Sequence, residues 1–302
     1  MNRYRLFGLT IASELPLPEL NPAQGDAPAD VTIRLGRLPL DPGRPQGLTL
    51  EGDAAILNIA EAGRYRIAQG REIVVEPGEG LSERNVRLYL LGSAFGAILY
   101  QRDLLPIHAN AIVVGAQAIG FLGHPGAGKS TMAAWFHDRG WPLLADDVCV
   151  VTFAEDGAPI AHAGIPRLRL WREALEASGR TAEGYELSFD DMDKYNVPTL
   201  GEEAPDSAPL SHLYLLEKAA EGAVGDVQPL GGADAVRALM ENSYRGQYAP
   251  LMGKNGTLLM ACARLAGSVP LFRARRLWGL DRLDEEGRRL ESHALERIAG
   301  RT

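Results

Sequence analysis

Short apolar runs broken by Gly and Pro fill the first eighty residues, and longer apolar faces at helical spacing begin only after them. Residues 4–11, 31–35, 54–59, 65–68 and 73–75 have the length and composition of strands. Residues 20–30 hold Asn, Pro, Gly and Asp and read as a turn-rich loop. No group of catalytic residue types falls in this part. Residues 1–80 are therefore expected to form a small β-rich domain that packs on the rest or meets a partner.

Glu76-Pro77-Gly78-Glu79-Gly80 marks the boundary. Ser82 then caps a predicted helix to about residue 101, inside a connecting segment over 81–103. Val86, Leu90, Ala94, Ala97 and Ile98 share one face, which Leu91, Phe95 and Leu99 widen, so this helix is expected to be buried between the two units. Residues 104–302 alternate strands and helices, which predicts an α/β domain. Strands are expected over 107–114 and 118–122, paired as a hairpin around Gly115-Ala116-Gln117, and over 143–145, 148–153, 166–171, 213–216 and 269–275. Helices are expected over 131–139, 172–178, 233–245, 257–266 and 283–299, the last charged and amphipathic. Residues 179–207 are polar and read as a loop, with Asp190, Asp191 and Asp193 beside Lys194 and Tyr195. Such a loop is either a solvated acidic segment or a substrate lid.

Between the predicted hairpin and the helix that follows lies Gly123-His124-Pro125-Gly126-Ala127-Gly128-Lys129-Ser130, a full match to G-x-x-x-x-G-K-[ST]. The pattern matters only between a strand and a helix, and both are predicted. Its glycines let backbone N–H groups turn inward around phosphates, and the helix start adds the positive end of a dipole. Lys129 is the point charge for the β- and γ-phosphates, Ser130 offers a hydroxyl to Mg²⁺, and Thr131 continues the cradle. The ligand this predicts is ATP with Mg²⁺.

A short gap later, Leu143-Leu144-Ala145-Asp146-Asp147 reads as a strand ending in two acids. The gap holds one helix and a return, so this strand is expected to lie next to that of the phosphate loop. Two adjacent acids allow a division of labour: Asp147 is expected to hold Mg²⁺ with Ser130 while Asp146, the preferred base, takes a proton from a hydroxyl, with an exchange of the two roles left open. Arg167 and Arg169 alternate on a predicted strand and so share a face. They are either stabilisers of the transferred phosphate or a solvated strand face. Arg273, Arg275 and Arg276 read as a solvated edge, with an acidic peptide as the other reading.

The segment from Leu105-Pro106-Ile107-His108-Ala109-Asn110-Ala111 through the phosphate loop to Ala145-Asp146-Asp147, with Pro166-Arg167-Leu168-Arg169-Leu170-Trp171, resembles the HPr kinase/phosphorylase family. The likeness is strongest to the HPr-kinase-like serine kinases of lasso-peptide biosynthesis clusters. The resemblance implies an HPr-kinase-like P-loop domain related to the phosphoenolpyruvate carboxykinase fold. It implies transfer of the γ-phosphate of ATP to a serine of a peptide or small protein, and it leaves a homo-oligomer open. His108, by itself a structural residue at a strand end, gains from it a role beside the phosphate. Thr131 stands where the family has Glu, and Ala163 to Arg169 holds Arg without the family's Glu. These departures predict a one-way kinase. A small-metabolite kinase, a non-catalytic nucleotide sensor and an enzyme acting on phosphoenolpyruvate remain the alternatives.

Composition narrows this little further. A net charge of −8 argues against nucleic acid as the main partner. Two cysteines, Cys149 and Cys262, provide no disulfide framework. No apolar run approaches the ~18 residues of a membrane span and no leader is visible, so a cytoplasmic protein is expected.

Overall fold

The computed structural model describes residues 1–25, 27–39, 43–189, 192–199, 204–220 and 222–300. The chain divides into two compact units, residues 1–106 with 243–261, and residues 107–242 with 262–302. Asp190 and Asp191 of the expected acidic loop lie outside the described residues.

In the first unit, β1 (Asn2–Leu6), β2 (Leu9–Ser13), β3 (Val31–Leu35), β4 (Gly47–Glu51), β5 (Ala54–Ile59), β6 (Gly63–Ala68) and β7 (Glu72–Pro77) form one sheet. Its order is β1-β2-β3-β7-β6-β5-β4. Ile11, Ile33, Tyr65, Ile67 and Ile73 are fully buried, each worth roughly 1.5–3 kcal/mol of apolar transfer. The single strand expected over 4–11 is a hairpin instead. Phe7 and Gly8 turn the chain with φ of 55° and 77°. An apolar run hides a turn when the turn residue is itself buried, as Phe7 is.

Ser82 caps α1 (Glu83–Tyr89) by accepting from the Asn85 N–H at 3.4 Å. A π-helical segment, Leu90–Ala94, joins it to α2 (Phe95–Gln101). The Tyr65 hydroxyl donates to the Val86 carbonyl at 2.9 Å and so pins the helix to the sheet.

The second unit holds the motifs. Its first strands are β8 (Leu105–Ile107), which begins at the unit boundary, β9 (Asn110–Val114) and β10 (Gln117–Leu122). Then follow α3 (Lys129–His137), β11 (Leu143–Ala145), β12 (Cys149–Phe153), β13 (Pro159–His162), β14 (Arg167–Trp171) and α4 (Arg172–Ala177). β15 (Glu186–Phe189), β16 (Met192–Pro198), the long β17 (Ser207–Lys218), β18 (Asp226–Leu230) and α5 (Gly232–Glu241) come next. α6 (Tyr248–Leu251) belongs to the first unit, and the boundary falls within α7 (Asn255–Ser268). β19 (Leu271–Arg276) and α8 (Leu283–Ala299) complete the chain.

The main sheet runs β11-β9-β10-β17, with β19 on β17 and β18 on β19. The expected pairing of β11 with the phosphate-loop strand does not form, because β9 stands between them. β9 is antiparallel to both, so β10 and β11 run the same way, as do β17 and β19. Four strands thus end at one edge of the sheet, where open α/β sheets place their ligands. Behind that edge Phe121 of β10 packs on Phe136 of α3 at 5.4 Å between centroids and stacks on Tyr214 at 5.8 Å. This core is what fixes α3 against the sheet.

Two further expectations are corrected. Residues 186–189 and 192–198 are not loop but strands, and β14-β16-β15 is a three-stranded sheet. Leu168, Leu170, Tyr195 and Val197 are its buried face, in one core with Met132 and Phe136 of α3. The alternation was masked by Lys194 and Asn196 on the other face. β19 is not an edge, since β17 and β18 flank it, and Arg273 and Arg275 pair with Glu217 and Asp226.

Candidate functional site

The phosphate-loop motif lies between β10 and α3, as its chemistry requires. Gly123 (φ 144°) and Gly128 (φ 81°) adopt conformations that L side chains rarely take. A Cβ on Gly123 would meet the Leu216 carbonyl at 2.8 Å, and one on Gly128 would meet Arg276 at 2.5 Å. Glycine is needed at both for backbone and for space. Ala127 donates its N–H to the His124 carbonyl at 3.0 Å, closing the turn. Lys129 is buried, and its Nζ donates to the carbonyls of Gly123 at 2.6 Å and His124 at 3.4 Å. Burial lowers its pKa from the ordinary lysine value.

β9 begins where β10 and β11 end, and this explains how the acids reach the loop despite the intervening strand. Asn110, the first residue of β9, donates its Nδ2 to both Ser130 Oγ, at 3.4 Å, and Asp146 Oδ1. Ser130 Oγ donates to the same Asp146 oxygen at 3.0 Å, while Asp146 Oδ2 accepts the Arg169 N–H at 2.6 Å. Asp146 is 6% exposed. Burial first, and then the Asp147 charge, push its carboxyl above the usual carboxylate range.

Asp147 follows at a φ of 102°, an unusual value for a residue with a side chain. His108 holds it there, its Nδ1–H donating to the Asp147 carbonyl at 2.9 Å. The same ring nitrogen is 3.5 Å from the Asp147 carboxylate, and Arg169 Nη1 donates to that carboxylate at 3.0 Å. Burial pushes Asp147 up, but the charges of Arg169, His108, Lys194 and Lys129 outweigh it and hold the carboxyl below its ordinary range. Burial in turn lowers His108. Two adjacent acids are thus set apart electrostatically, one against the loop serine and one among cations.

A cavity of about 400 Å³ opens over the loop. Pro125, Gly126, Gly128, Lys129, Ser130 and Thr131 line its floor, with His108 and Asp147 beside them. Gly123, His124 and Ala127 build the turn without lining the cavity. Arg169 reaches the acids from the strand face it shares with half-buried Arg167.

Four residues at the site were not among the candidate site residues read from the sequence. Asn110 is a lone amide in a buried strand, a signal that was there to be read. Lys194 faces the cavity from β16, paired across the sheet with Trp171, and burial lowers its pKa. Arg276 is 6% exposed and donates to the Ala127 carbonyl at 2.6 Å, bracing the loop. Asn242, buried at the end of α5, accepts the Gly123 N–H at 3.0 Å. Nothing near these last two in sequence points to the loop.

No protein family and no curated protein matches the chain. Among solved structures it is similar to the Hpr(Ser) kinase/phosphatase from Coxiella burnetii, at 16% identity and a TM-score of 0.38. That similarity covers 64% of this chain and 93% of the other.

Proposed function

We propose that the chain is an ATP- and Mg²⁺-dependent kinase that transfers the γ-phosphate to a hydroxyl, with a peptide serine as the acceptor class. One observation carries the reading. A buried acid bonded to the serine of a phosphate loop sits next to a second acid that faces the cavity. Phosphoryl transfer needs both a cation site and a group to orient the incoming hydroxyl, on either side of one phosphate. The acceptor class comes from the resemblance in sequence, as does the relation to the carboxykinase fold.

The residues suit Mg²⁺. Ser130 Oγ and the Asp146 carboxylate are hard oxygen donors in contact, and the Asn110 Oδ1 beside them is buried with no hydrogen-bond partner among the described residues. When bound there, the cation neutralises charge on the β- and γ-phosphates. This favours the second of the two divisions of labour, with Asp146 and Ser130 on the metal and Asp147 as base.

Asp147 is kept ionised by Arg169, Lys194 and Lys129, so it can accept a hydroxyl proton at neutral pH. His108 acts through Asp147 by fixing its backbone. Lys129 leaves the carbonyls of Gly123 and His124 for the phosphates, and Arg169 and Lys194 offset charge on the transferred group. Without the Glu of the resembling family near Arg167, transfer runs one way. Pyrophosphate formed from a phosphorylated acceptor and phosphate would refute that last point.

The test of the whole reading is labelled ATP, Mg²⁺ and a peptide library, with the acceptor identified by mass spectrometry. The expected result is a phosphoserine whose formation requires Lys129. Absence of any Lys129-dependent label in peptides, with label in a small metabolite instead, would move the acceptor class. Absence of turnover would leave a sensor.

A further inference from the structure

The cavity has a wall that phosphate chemistry does not use. From the last residue of β19 the chain runs Arg276-Leu277-Trp278-Gly279-Leu280, and this run lines the cavity together with Leu283. Trp278 is 49% exposed and Leu280 41%. Large apolar side chains half open to water, gathered on one side of a charged cavity, mark a place where an apolar surface of the ligand is received.

Sheet order says which part of the ligand that is. The acid pair follows β11, the phosphate loop follows β10, and Trp278 follows β19. The order β11-β9-β10-β17-β19 puts the acids two strands to one side of the loop and Trp278 two strands to the other. All of these ends lie on one edge of the sheet, and neighbouring strands are about 4.8 Å apart. If the reacting phosphate lies by Asp147, as the proposed function has it, the triphosphate crosses the loop away from it, toward β19.

The second exposed tryptophan fits the same polarity. Trp171 pairs across its sheet with Lys194, whose charge acts on both acids, and so belongs to the reacting end. Trp278 stands instead with Arg276, which is bonded to the loop, and with Lys218, each 5.9 Å from its ring centroid.

Building on the proposed function, we infer that Trp278 is the stacking platform for the base of a nucleoside triphosphate, with Leu280 and Leu283 as its apolar surround. The indole offers a π-face to the base, and the neighbouring cations face the α-phosphate side.

The experiment compares ATP with inorganic tripolyphosphate, each with Mg²⁺, by calorimetry and by quenching of tryptophan fluorescence. Tripolyphosphate has the charge of the ligand and no base. Trp278→Ala should weaken ATP binding about 5- to 150-fold, the usual worth of one base–aromatic stack. It should leave tripolyphosphate within about twofold, which also reports that the loop is folded. Trp278→Phe should keep most ATP affinity while losing the ATP-specific part of the quench. Unchanged ATP affinity in Trp278→Ala, or an ATP-specific quench that survives in Trp278→Phe, overturns the platform and leaves the kinase reading standing. A wild-type chain that binds neither ligand overturns both.

Discussion

The two units bury different things. In the first, the buried polar residues among those described are Ser13, Ser93 and Ser243, hydroxyls that a single hydrogen bond satisfies. In the second, Lys129, Asp146, Arg276 and Glu286 are all buried, and three of them touch or brace the phosphate loop. Burying a charge costs far more than burying a hydroxyl. A fold carries that cost where fixed charges have work to do, so the contrast points to the second unit as the place of chemistry and to the first as apolar architecture.

The sharpest way to break this contrast is at Asp147. Asp147→Asn should lower phosphotransfer by about 10²–10⁴, the usual worth of a positioned base, with little change in the Mg²⁺ concentration needed. Asp146→Asn should instead raise that concentration. Steady-state rates across a Mg²⁺ titration separate the two, and matching defects would end the division of roles. Lys129→Ala comes next, with an expected loss of about 10²–10³ in rate. Unchanged ATP turnover there would remove the phosphate-loop assignment altogether.

A change in the first unit should behave differently. Tyr65→Phe deletes the hydroxyl that holds α1 to the sheet and leaves the Val86 carbonyl short of a donor. The expected cost is about 1 kcal/mol of stability by denaturant titration, with phosphotransfer rates unaltered. A lowered rate at full folding would show that the first unit shapes the site.

The smallest expected effect is in pH. All six histidines lie in the second unit. Burial holds His108, His162 and His293 below the ordinary imidazole value of about 6.5. Their folded pKa is depressed, so the unfolded chain takes up protons first as pH falls. Stability is therefore intact above pH ~6.5 and declines below it. Hydrogen exchange between pH 7 and 5.5 should show protection falling in the β10-β17-β19 strands while β5-β6-β7 stay protected. Equal losses in both sheets would contradict this.

How legible all this was depends on distance along the chain. The phosphate loop could be read because its cradle is one continuous stretch. The glycines, the lysine and the serine act through backbone geometry that the local sequence imposes. The helix over Leu283–Ala299 and the strands β3 and β5 were equally open, because a 3.6- or 2-residue period is a local signal. The acid pair was visible as a type of residue at a strand end, but not in its roles.

The roles proposed for them rest on neighbours that the fold brings in. Asn110 meets Asp146 only because β9 lies between β10 and β11 and starts at the edge where they stop. Arg169 on β14 and His108, between β8 and β9, reach Asp147 and not Asp146 with their side chains. Lys194 was hidden in a segment whose buried alternation, Tyr195 and Val197, is too short to outweigh its charged face. Arg276, Asn242 and Trp278 arrive from beyond β17, too far along the chain for any window of sequence to connect them with the loop. The sequence by itself determined the glycine-rich turn between strand and helix, since that is a property of consecutive backbone. Only the tertiary structure decided which side chains surround it, since charge and contact act through space and strand order is set by the packing of the whole sheet.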